Sequence, residues 1–315
     1  MNKVKAVFAA LALFVSGGAV LAAPAVTPLV DSAWLADNLQ ADNLVIIDVR
    51  SGIDGTNAEG FAAGHIPGSV YASYTDGGWR TSVNGVPGMT PGVEDLQTYI
   101  QSLGVSNDDA VVIVPAGVGS TDFGSAARVY WTFKLLGHDA VGILNGGLKG
   151  WVDAGGELAT GQTNATAGNF TANLRPELLV SAEQVQAGIN GGSQLVDARP
   201  AAQFRGEAKH PASANAGTIP GAASLEEHLL VQEGSSNFVD AAEVSRLVDA
   251  AGIDGSEPVV SFCNTGHWAA TVWFALSEVA GLESVAMYDG SMTEWTQDAN
   301  RPLVAGQQAL SDLLN

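Results

Sequence analysis

The stretch Val259-Val260-Ser261-Phe262-Cys263-Asn264-Thr265-Gly266-His267-Trp268 sets the only cysteine of a 315-residue chain between an apolar, β-branched run and a helix-like run. A lone free cysteine is often a buried filler, so its surroundings decide. Gly266 permits a positive φ or a close approach of backbone. The residues after it open a helix whose first amides have no intrahelical partner. Those amides and the helix dipole favour negative charge on Cys263, and a thiol so placed commonly has its pKa lowered towards neutrality. The predicted chemistry is that of a nucleophilic thiolate. The same cradle suits a charged persulfide without any basic side chain.

Other cysteine chemistries fit less well. A phosphatase loop needs an arginine to clamp phosphate where this chain has Ala269. Five scattered histidines and one cysteine give no zinc spacing, so no metal or organic cofactor is expected. A single thiol forms no internal disulfide.

The elements that position the loop are written twice. Residues 44–70, with Asp48-Val-Arg50 and Gly64-His-Ile-Pro-Gly68, answer residues 193–223, with Asp197-Ala-Arg199 and Gly217-Thr-Ile-Pro-Gly221. Residues 110–137 answer 258–281, and Ile143 to Trp151 answers Ala286 to Trp295. Short apolar runs such as Ala110 to Val114 alternate with helical patterns such as 92–105, which predicts an α/β fold with a parallel sheet covered on both faces. In such sheets ligands sit beyond the carboxyl ends of the strands, where Cys263 falls. Asp48, Arg50, Asp197 and Arg199 recur in the copy without a thiol and are read as structural. His65, which Thr218 replaces in the second copy, is read the same way. Trp131, Trp151, Trp273 and Trp295 read as core.

Together the repeat, the Asp-x-Arg strand ends, the two Gly-x-Ile-Pro-Gly segments, Tyr288-Asp289-Gly290-Ser291 before Trp295, and a Cys-x-x-Gly loop in the second copy alone resemble a tandem-domain rhodanese of the sulfurtransferase family. The resemblance covers about 26–310. It implies two tandem rhodanese-like domains, each a parallel sheet flanked by helices, the first non-catalytic and the second carrying a persulfide on Cys263. The implied substrate-binding residues are Asn264, Thr265, Gly266, His267, Trp268 and Arg205. The implied partners are a small sulfur donor, thiosulfate or mercaptopyruvate, and a cyanide or thiol acceptor; a non-enzymatic persulfide carrier is the alternative.

The loop departs from both types within the family. Thiosulfate-specific members resemble Cys-Arg-Lys-Gly, and mercaptopyruvate-specific ones Cys-Gly-Ser-Gly, whose hydroxyl Thr265 matches. Their Arg-Phe-Arg-Gly stretch reads Gln203-Phe204-Arg205-Gly206 here, with Lys209 or His210 left to replace a later arginine. A protonated, inward His267 would be the loop's only full positive charge; an outward imidazole packed on Trp268 is the other reading.

Lys3 and Lys5, the apolar Ala6 to Val15 and the small-residue Val20-Leu21-Ala22 read as a signal peptide over 1–22, so the protein is expected to be periplasmic or secreted. The expected organisation is a non-catalytic domain at 26–158, a linker at 159–175 and a catalytic domain at 176–315. Without the leader, 33 acids face 11 bases, which disfavours nucleic acid or an anionic membrane as partner. The small polar residues of 159–170 suggest an exposed connection.

Overall fold

The computed structural model describes residues 23–189 and 191–314; the expected signal peptide lies outside them. The first half contributes β1 (Leu29–Val30), β2 (Leu44–Asp48), β3 (Val70–Tyr71), β4 (Thr81–Val83), β5 (Val86–Met89), β6 (Ala110–Val114) and β7 (Val141–Leu144). The second contributes β8 (Leu179–Val180), β9 (Gln194–Asp197), β10 (Ala223–Ser224), β11 (Val259–Phe262) and β12 (Val285–Tyr288). Two all-parallel five-stranded sheets result, ordered β1-β7-β6-β2-β3 and β8-β12-β11-β9-β10. Strand for strand the orders correspond. Every residue of β6 and of β11 is buried, as helices on both faces require.

Each copy pins its strand end in the same way. Arg50 pairs with Asp48 at 2.8 Å and donates to the Gly64 carbonyl at 2.9 Å. Arg199 pairs with Asp197 at 2.6 Å and donates to the Gly217 carbonyl at 2.8 Å. These buried pairs hold the turn that follows and touch no part of the cysteine loop, in keeping with a structural role. His65 stacks on Phe61 and bonds its carbonyl, and the four tryptophans singled out above are buried.

The halves share one core. The helix Ser120–Leu135 packs on His267–Phe274, with the Phe274 ring against Phe123, Tyr130 and Phe238 at 5.0–5.8 Å and Phe123 against Phe238 at 4.9 Å. Burial of such rings fixes the relative placement of the halves. β4 and β5 form an antiparallel hairpin that reaches over the second half; its Asn84-Gly85 turn has φ of 52° and 79°, the geometry that Asn-Gly favours. The polar residues of 159–170 are mostly exposed, but Phe170 is a correction: it is buried in the core against Phe133 and His138. Among the described residues no helix is long and apolar enough to cross a membrane, and no side-chain cluster could hold a metal ion.

Candidate active site

Cys263 directly follows β11, buried at the foot of a cavity of about 330 Å³ between the halves. Ile53, Arg80, Pro87 and Thr121 of the first half line it, with His210, Asn264, Thr265, His267 and Trp268 of the second. Gly266 caps the helix His267–Phe274 with φ of 71°. A Cβ there would lie 2.2 Å from Arg128 Nη1 and 2.7 Å from Asp289 Oδ1, so the position requires glycine both for its φ and for its space.

All four loop carbonyls are tied back. The amides of Met292 and Thr293 donate to Cys263 and Asn264 O at 3.0 Å each. Arg80 Nη2 donates to Thr265 O at 3.3 Å, and Arg128 Nη1 to Gly266 O at 2.9 Å. Ser291, at φ of 50°, accepts from Cys263 N and Gly266 N at 3.0 and 3.2 Å and donates to Tyr288 O, which uses its whole hydroxyl capacity. The amides of Asn264, Thr265, His267 and Trp268 meet no acceptor among the described residues. With its carbonyls held by donors and these amides unspent, the loop offers open N–H donors to an anion.

Arg128 is fully buried. Its charge is met by Asp289 at 2.5 Å, and Thr90 Oγ1 accepts from it at 2.9 Å. Asp289 in turn accepts from Thr90 N and Oγ1 at 2.6 and 2.7 Å. The first half thus grips the second half's loop through Arg80 and Thr90, which flank the hairpin, and Arg128 on the long helix.

The rhodanese-like domain family matches the chain twice, over residues 31–154 and 181–298. A 3-mercaptopyruvate sulfurtransferase of Escherichia coli is 31% identical over 283 residues, 88% of this chain and 98% of its own. The chain belongs to the tandem-domain rhodanese family of sulfurtransferases. A putative thiosulfate sulfurtransferase of Mycobacterium tuberculosis is 32% identical over 292 residues, covering 88% and 97% of the two chains. The crystal structure of the Escherichia coli 3-mercaptopyruvate enzyme SseA superposes with a TM-score of 0.75 at 30% identity, covering 84% of this chain and 99% of that one.

Within this rhodanese fold the predicted residues fare unequally. Cys263, Asn264, Thr265, His267 and Trp268 meet at one cavity, and Gly266 shapes the loop beneath it. Asn264 is further held by its Nδ2, which donates to Gln203 Oε1 at 2.9 Å. Arg205 is not in the cavity wall: its guanidinium is taken by Glu207 and Asp312 at 2.9 and 2.7 Å. Lys209 is spent on the Ser213 carbonyl, whereas His210 does reach the wall.

His267 corrects both readings of its side chain. The imidazole neither faces solvent nor carries charge; Nε2–H donates to Thr121 O at 2.8 Å, and Nδ1 accepts from Tyr74 O–H at 2.8 Å. Burial, aided by repulsion from Arg80 and Arg128, pushes its pKa down to about 3. A Cβ at Gly124 would stand 2.9 Å from Nε2, so a glycine on the opposing helix makes room for the ring. The residues that sequence reasoning missed are Arg80, Arg128, Thr90 and Thr121, all in the copy without a thiol. The available signal was Arg80 and Arg128 themselves, two of few basic residues in a strongly acidic chain and both close in sequence to the Asn84-Gly85 hairpin or the matched helix.

Proposed function

We propose that the Cys263 thiolate attacks the outer sulfur of a small anionic donor, thiosulfate or 3-mercaptopyruvate, and holds that sulfur as a persulfide. With thiosulfate the S–S bond breaks and sulfite leaves with the electron pair. With mercaptopyruvate the C–S bond breaks, and the enolate of pyruvate leaves and takes up a proton. Cyanide or a thiolate then attacks the outer persulfide sulfur, and the S–S electrons return to Cys263. The enzyme alternates between two covalent forms, which gives ping-pong kinetics.

One observation carries this reading: four consecutive carbonyls, each held by a donor from elsewhere in the chain, leave the loop amides to stabilise negative charge on the terminal sulfur. The names of the relatives support a donor of this kind. The pattern of residues 1–22 supports export, and amino-terminal sequencing of protein from the periplasm or medium tests it. Intact mass after incubation with each donor should gain one sulfur, and cyanide should remove it as thiocyanate with turnover. Sulfur gained without turnover would favour a carrier; no gain with any donor would overturn the reading.

A further inference from the structure

The two arginines at the loop differ in how their charge is met. Arg128 is neutralised by Asp289, but Arg80 has no carboxylate within ion-pair reach among the described residues. Arg80 is half-buried in the cavity wall beside Cys263. Its side-chain bonds are long and weak: Nε to Gly88 O at 3.4 Å, and Nη2 to Thr265 O and Oγ1 at 3.3 Å each. The face of Tyr74 lies 5.1 Å beneath its guanidinium, which holds the group in place without cancelling its charge. The other basic groups of the wall do not compete, since burial lowers the pKa of both His210 and His267.

We propose that Arg80, supplied by the half without the thiol, is the specificity-determining residue for the charged end of the sulfur donor, and that it fits a single negative charge on an apolar body. One unpaired cation balances one anionic group. Ile53, Pro87 and Trp268 supply apolar surface in the same cavity, whose volume of about 330 Å³ exceeds the needs of a compact dianion. A chain of formal net charge −20 adds a further penalty for a second negative charge. This inference rests on Cys263 as the attacking thiolate.

The test separates charge recognition from sulfur transfer. Alkylation of Cys263 by iodoacetate and by iodoacetamide, reagents of similar shape and different charge, is measured on wild type, Arg80→Gln and Arg80→Lys. Rates are taken on the alkaline plateau, where thiol ionisation no longer enters. The iodoacetate to iodoacetamide ratio should fall about tenfold in Arg80→Gln and partly return in Arg80→Lys. With benzenethiosulfonate as donor, Arg80→Gln should raise KM about tenfold and change kcat by less than about twofold. Wild type should have a higher kcat/KM for benzenethiosulfonate than for thiosulfate. Equal slowing of both alkylating reagents would leave Arg80 only the support that its bond to Thr265 O makes it and overturn the proposal, as would an unchanged ratio or a wild-type preference for thiosulfate. If no donor places sulfur on Cys263, the transfer reading fails while the alkylation ratio still judges Arg80.

Discussion

After β6 and after β11 the chain makes the same move, from a buried strand through a short loop into a helix, and ends with opposite results. In the first half the amides of Gly117, Val118 and Gly119 close on the carboxylate of Asp122 at 2.6, 3.1 and 2.8 Å. In the second half Ser291 takes two amides, and four others meet no described acceptor. A nest of amides favours an anion; one copy supplies it from its own chain, and the other leaves its amides open. The outer grip is reciprocal, since Phe238 N donates to Asn145 Oδ1 at 2.8 Å as Thr90 N donates to Asp289 Oδ2 at 2.6 Å. The arginines run one way: Arg80 and Arg128 reach from the half without the thiol to the cysteine loop. The same frame thus carries two different loops, one closed on its own carboxylate and one with open amides.

The largest effect should come from removing the nucleophile. Cys263→Ser should lower turnover by about 10⁴-fold or more with an unchanged melting temperature, measured as thiocyanate or pyruvate release together with intact mass. Sulfur retained by the serine variant would erase the contrast between the halves. Next is Arg128→Met, which leaves Asp289 buried without its partner and frees the Gly266 carbonyl. A loss of roughly 3–5 kcal/mol in urea unfolding is expected; a loss below about 1 kcal/mol would show that the one-way grip is dispensable.

Glu227 lies where the halves meet, and burial pushes its carboxyl up to about 7, with Glu226 adding repulsion. Its unfolded pKa is near 4.5, so the native state binds the extra proton; its stabilising contribution is complete below about 4.5 and is lost as pH rises to about 7. Glu227→Gln should therefore gain stability over wild type at pH 8, on the order of 3 kcal/mol, and nothing at pH 4.5. No gain at pH 8 would place the charge in solvent.

A smaller effect tests the silent loop directly. Asp122→Ala should cost about 1 kcal/mol as a lost cap, and Pro115→Cys with Asp122 intact should take up no donor sulfur by peptide mass mapping. Sulfur at position 115 would mean that the resident carboxylate does not silence that loop. The smallest effect concerns His267, whose pKa of about 3 keeps it neutral at both pH 6 and pH 8. His267→Gln should change KM for an anionic donor by the same factor at pH 6 and pH 8. A larger factor at pH 6 would restore a charged imidazole to the site.

Sequence alone established the repeat, because hydrophobic alternation and the Asp-x-Arg and Gly-x-Ile-Pro-Gly signatures are local and survive in both copies. It also singled out Cys263 and Gly266, since a thiol between a buried strand and a helix start has a local electrostatic meaning. The burial of Phe170 was not legible, because a lone aromatic in a small, polar segment gives no periodic signal. Arg205 was misplaced since nothing near it in sequence reveals Asp312, its partner at the far end of the chain. His267 was undecided for the same reason: its charge depends on Tyr74 and Thr121, nearly two hundred and about one hundred and fifty residues away. The tertiary structure decided where the charge of the site comes from. Arg80 and Arg128 reach the cysteine loop only because an apolar core shared by both halves seats one copy against the other, and charge at a distance in sequence becomes chemistry only through such packing.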